Sequence, residues 1–204
     1  RILIRVFTVA ILITIISISG FIANSILNQQ STSQTANQTE LRAAIVDHLS
    51  LTVPNQTFIQ TATNTLNQAG YSVDYYPGEQ VTVELYRNLP THGYKIILLR
   101  VHSAGTSALG EAELQLFTSE TYSNQRYRNE QLAGQVGKVK YSATAEESYF
   151  GICPNFVKQC RKVNFQNTMI IAMGCDSLAG SQMAKAFIEN GAKVYIGWSG
   201  SVLR

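Results

Sequence analysis

The sequence predicts an α/β domain with a mainly parallel central sheet and flanking helices. Three observations point there. Strand-like and helix-like stretches alternate from about residue 43 onward, and two nearly continuous apolar runs, Lys95–Val101 and Thr168–Met173, have the composition of strands covered on both faces. Two helical stretches each stop at a glycine that leads into the next strand, as right-handed crossovers require.

The elements follow in order. Ala43–Leu49 is a short apolar run, broken near its end by Asp47 and His48, and reads as the first strand. Pro54 and Asn55 open a helix on which Phe58, Ile59, Ala62, Leu66 and Ala69 share one face, with Gly70 as its stop. Tyr71–Tyr76 alternates and closes at Pro77-Gly78, the pattern of a second strand. Val81–Leu89 fits helix and strand equally, and Pro90 and Gly93 separate it from Lys95–Val101. The polar stretch Ser103–Ser148 carries one expected strand, Glu113–Thr118, and one expected helix around Tyr127–Ala133. Thr168–Met173 is then a strand, Ala179, Met183, Ala184, Phe187 and Ile188 mark a helix face stopped by Gly191, and Ala192–Trp198 is a last strand. No internal repeat is visible.

Ahead of this domain, Val6–Thr39 contains no charged residue. Its apolar part, Val6–Leu27, would span about 33 Å as a helix, close to the thickness of a bilayer core. The expected organisation is a transmembrane signal-anchor over 1–28, a polar Ser/Thr/Gln/Asn spacer over 29–40 and the α/β domain over 41–204, with Ile18-Ser19-Gly20 leaving cleavage of the anchor open. Arg1 and Arg5 flank the apolar run on its amino-terminal side, and no Lys or Arg follows before Arg42, so the amino terminus is expected in the cytoplasm and the domain outside. Asn37-Gln38-Thr39 and Asn55-Gln56-Thr57 match the glycosylation pattern, which makes Asn37 and Asn55 candidate acceptors on that side. The chain starts at Arg rather than Met and stops at Arg204 soon after an apolar run, so it is expected to be a piece of a longer protein, incomplete at the carboxyl end.

Composition excludes several classes. Across 204 residues, 45% are hydrophobic and 14% charged, with 14 Gly and 4 Pro, which suits neither collagen, coiled coil nor long disorder. The net charge of +3 includes Arg1 and Arg5, and no clustered Lys/Arg stripe is present for nucleic acid. Three cysteines do not close a disulfide framework, and no zinc ligand set accompanies Cys153 and Cys160, which read as structural. No metal and no cofactor is expected. A phosphate-binding loop does not follow the first strand, which argues against a flavodoxin-like sheet.

In open α/β sheets the chemistry gathers beyond the carboxyl ends of the strands. His102 leaves Lys95–Val101 and Cys175 leaves Thr168–Met173, each followed by small or polar residues. On neighbouring strands they would form a dyad in which imidazole takes the thiol proton, thiolate attacks a carbonyl carbon and backbone N–H groups hold the oxyanion. The competing readings are a small core cysteine and a structural histidine. His48 and His92 read as structural or surface groups, and Ser103 lacks the surroundings of a serine nucleophile.

The run Met173-Gly174-Cys175-Asp176-Ser177 and the stretch from Met183 through Gly191-Ala192 to Trp198 resemble the cysteine half of caspase-like peptidases, most of all the gingipain and CHAT (caspase-like, TPR-associated) branches. Gly93–Ser103 resembles their histidine half, and the whole chain resembles membrane-tethered archaeal members for which no substrate follows. The likeness covers roughly residues 41–204. It implies a caspase-like sandwich, Cys175 as nucleophile, His102 as base and the backbone N–H groups of Cys175 and Ser103 as oxyanion donors, with a polypeptide substrate or protein partner. Asp176, beside the nucleophile, is a candidate to face a basic substrate side chain. The family usually has Gly directly after the catalytic His, and this chain has Ser103, so the alternative is a catalytically inactive recognition or scaffold module at the cell surface.

Overall fold

The computed structural model describes residues 41–106, 113–160 and 164–201. The expected anchor over 6–27, the spacer and Asn37 lie outside the described residues. Among the described residues no helix is long and apolar enough to cross a membrane.

The elements are β1 (Arg42–Asp47), α1 (Gln56–Gln68), β2 (Ser72–Pro77), α2 (Val83–Asn88), β3 (Ile96–Leu99), β4 (Ser103–Thr106), β5 (Glu113–Thr121), α3 (Arg128–Leu132), β6 (Val136–Val139), β7 (Tyr149–Ile152), α4 (Pro154–Gln159), β8 (Met169–Ala172), α5 (Ser181–Glu189) and β9 (Val194–Ile196). A five-stranded sheet has the order β2-β1-β3-β8-β9 with every pair parallel. The α/β class with a mainly parallel central sheet is therefore present, with helices between its strands.

β1 is buried along both faces from Ala43 to Asp47, as an inner parallel strand must be when both faces are covered. β3 and β8 instead alternate buried with half-buried residues, so one face of each is only partly covered. Their fully buried side chains Ile97, Leu99 and Ile170 join Met183 and Phe187 of α5 in the core. α1 starts where expected because the Asn55 side chain accepts the Phe58 N–H at 2.9 Å, an N-cap that supplies one of the orphan donors of the first turn.

The stretch 103–148 departs from expectation. Beside the parallel sheet lies a four-stranded sheet of order β4-β5-β7-β6, antiparallel throughout, where the sequence suggested one strand. β4, β6 and β7 are four residues each and carry glycines, so their extended form comes from pairing and burial rather than propensity. Gly137 pairs with Gly151, and a Cβ at either would come within 2.7 Å of the Gln115 side chain, so the glycines make room for that buried amide. Leu114, Leu116, Phe150 and Ile152 of this sheet join the same core. The undecided stretch Val81–Leu89 contains α2, whose first N–H groups are accepted by the Thr82 hydroxyl and by Glu120, which belongs to β5. A helix start completed from a distant strand is invisible to a local reading.

Candidate functional site

β3 and β8 are direct neighbours, with Ile96 opposite Met169 and Leu99 opposite Ala172. The Met173 N–H continues the ladder to the Leu99 carbonyl at 2.8 Å. His102 and Cys175 stand the same number of residues past that last pair, so parallel register brings both to the same end of the sheet. Together they line a recess of about 270 Å³, closed by Leu49, Val53, Asn55, Phe58, Arg100, Val101, Met173 and Gly174.

His102 is 8% exposed, and its ring is oriented from several sides. Thr52 Oγ1 lies 2.9 Å from Nε2. The Tyr141 ring meets it edge-on at 5.0 Å between centroids, with Phe117 and His48 each at 5.7 Å. Its carbonyl accepts the Phe117 N–H at 3.0 Å, which makes His102 a hydrogen-bonded position of the β4–β5 ladder. The next residue in an antiparallel pair turns its N–H to the other side, so the Ser103 N–H points away from β5.

Cys175 is half-buried and not in a disulfide. Its loop is held at Gly174, Cys175, Asp176 and Ser177. The Ser103 hydroxyl donates to the Cys175 carbonyl, tying the histidine loop to the cysteine loop. At Gly174 a Cβ would lie 2.4 Å from the Val101 carbonyl, so only glycine permits this approach. Asp176 has a left-handed φ of 53° and donates its N–H to the Gly200 carbonyl at 3.0 Å, while the Ser177 hydroxyl donates to the Ala172 carbonyl at 3.0 Å and accepts the Trp198 N–H at 2.9 Å. Asp176 is half-buried and does not line the recess.

The recess wall rests on a buried ion pair. Arg100 donates to Asp47 through Nη1 and to the Val53 carbonyl through Nη2, and the second Asp47 oxygen accepts from the Tyr75 hydroxyl at 3.2 Å. Asn55 is exposed and carries both the helix cap and a position on the recess rim.

His48 is not a surface group, as one sequence reading allowed. It is fully buried at the exit of β1, 3.3 Å from the Tyr141 hydroxyl through Nε2. Burial pushes its pKa down to about 4, partly opposed by the Thr118 main chain. Below its ordinary value of 6.5 the unfolded chain therefore takes up a proton that the folded protein refuses, so stability falls as pH drops from 6.5 toward 4. Between pH 7 and pH 5 the loss from this group is about 2 kcal/mol, and His48→Gln removes that part of the slope in urea denaturation. An unchanged slope in the variant would assign the acid sensitivity elsewhere.

The other thiols are set apart by burial, which raises Cys153 to about 12 and Cys160 above its ordinary range. Both are free, and Pro154 begins the helix between them. Among the described residues no group of three or more His, Cys, Asp or Glu side chains is arranged to hold a metal ion. Sequence reasoning missed Thr52, Phe58, Arg100 and the inward His48 as parts of this region. The strand-exit rule applied to β1 would have pointed to the segment after Asp47, whereas nothing local marks Phe58.

Fold and site thus define an α/β protein with a Cys/His-lined recess at the carboxyl end of a parallel sheet. No protein-family model matches the chain, and no curated protein matches it.

Proposed function

We propose that the chain is a caspase-like cysteine peptidase, anchored in a membrane by residues 6–27 with its domain on the extracytoplasmic side. One observation carries the reading: His102 and Cys175 leave adjacent parallel strands and line the same recess. Thr52 Oγ1 holds the His102 ring through Nε2, and in this reading the imidazole takes the Cys175 proton. The thiolate attacks the scissile carbonyl carbon, and the backbone N–H groups of Cys175 and Ser103 stabilise the resulting oxyanion. The imidazolium then protonates the leaving amine, giving an acyl-enzyme that water, deprotonated by His102, hydrolyses.

A second reading, a non-catalytic recognition or scaffold module, draws on Ser103, whose hydroxyl engages the Cys175 carbonyl at a position where the family usually has glycine. Iodoacetamide separates the two. A working dyad makes Cys175 the thiol alkylated first near neutral pH, and His102→Ala slows that labelling. Because burial already suppresses Cys153 and Cys160, selectivity alone does not decide. Labelling of Cys175 at the same rate with and without the imidazole would leave the module reading.

A further inference from the structure

We infer that the recess beside Cys175 receives an uncharged, apolar substrate side chain, so that cleavage follows residues such as leucine or methionine; the inference rests on the peptidase reading above. Its walls are mostly hydrocarbon, from Leu49, Val53, Phe58 and Met173. At about 270 Å³ it lies below the range of about 300–1,000 Å³ usual for small-molecule sites and suits one side chain.

The charges nearby close the other options. Among the described residues, Arg100 is the one guanidinium in the lining, and it is 7% exposed, with one nitrogen on Asp47 and another on the Val53 carbonyl. A substrate carboxylate brought here would add a second negative charge to an arginine already neutralised by Asp47, inside a poorly solvated space. Among the described residues, a substrate ammonium or guanidinium would meet no carboxylate in the lining, since Asp47 is committed to Arg100 and Asp176 lies outside the recess. The Asn55 oxygen is already used by the Phe58 N–H. What remains is apolar surface, which rewards a side chain that leaves water without leaving a charge unpaired.

Three acetyl-tripeptide aldehydes, identical but for ending in leucine, aspartate or lysine aldehyde, test this on the full chain by protecting Cys175 from iodoacetamide. In the protected adduct the sulfur–carbon bond forms, the carbonyl π bond breaks and the thiol proton ends on the new hydroxyl, so protection needs no turnover. The leucine aldehyde is expected to protect at a concentration at least about tenfold lower than the other two. With a fourth compound of the series ending in phenylalanine aldehyde, Phe58→Ala, which opens the wall, is expected to shift the preference from leucine toward phenylalanine, and an unchanged preference would take Phe58 out of the wall. Best protection by the aspartate or lysine compound overturns the inference while leaving the dyad intact. So does absence of protection by any aldehyde when Cys175 is still alkylated in a His102-dependent way. Loss of that His102 dependence overturns the peptidase reading itself, and the inference with it.

Discussion

In the proposed peptidase, His102→Ala is expected to lower kcat/KM for a peptide with leucine before the scissile bond by about 10²–10⁴-fold, and Cys175→Ala to abolish turnover. The expected loss is large because in the proposed reaction the imidazole acts in both proton transfers, first from the thiol and later to the leaving amine. It should appear in kcat with KM little changed, since a base contributes to the transition state rather than to ground-state binding. Cys160→Ser is the control: that sulfur lies beyond α4, bonded to the Phe156 carbonyl, and its replacement leaves the rate near that of the parent chain. Release of a fluorogenic leaving group over a range of substrate concentrations measures all three. If the parent chain and His102→Ala are equally inert while both remain folded, the recognition-module reading takes over.

Arg100→Met destabilises the domain by about 3–5 kcal/mol, read from denaturant midpoints. Asp47 is 1% exposed, and its carboxylate is balanced by Arg100 alone among the cations recorded beside it, with the Tyr75 hydroxyl on its other oxygen. Removing the guanidinium strands a buried negative charge and also frees the Val53 carbonyl that the arginine holds in the recess wall. Asp47→Asn in the same chain recovers most of the loss, because an uncharged amide needs no counter-ion. A double variant as unstable as Arg100→Met alone would show that the arginine acts through packing, including its position 5.8 Å from the Phe58 ring centroid, rather than through charge.

Of the parallel sheet, all five strands were legible, β2 by its alternation and the others as apolar runs between clear stops, and α1 and α5 were legible from helical spacing ended by Gly70 and Gly191. Of the second sheet only β5 was, expected as Glu113–Thr118 and found as Glu113–Thr121. β4 is Ser-Ala-Gly-Thr, β6 is Val-Gly-Lys-Val and β7 is Tyr-Phe-Gly-Ile, stretches too short and too glycine-containing to signal strands without their partners. Of the site, His102 and Cys175 were legible from where they leave their strands. The ring of groups that orients His102 was not, since Thr52, His48, Phe117 and Tyr141 come from distant parts of the chain.

By itself the sequence determined the fold class, the order of the parallel-sheet elements and the two chemically potent residues at strand exits, because hydrophobic periodicity and turn residues act over a few positions. The tertiary structure alone decided that β3 and β8 are neighbours in matched register, that Ser103 ties its loop to Cys175, and that Arg100 is spent on Asp47. Those facts depend on which strands pair and which charges are desolvated together, and such choices are made by packing over the whole domain.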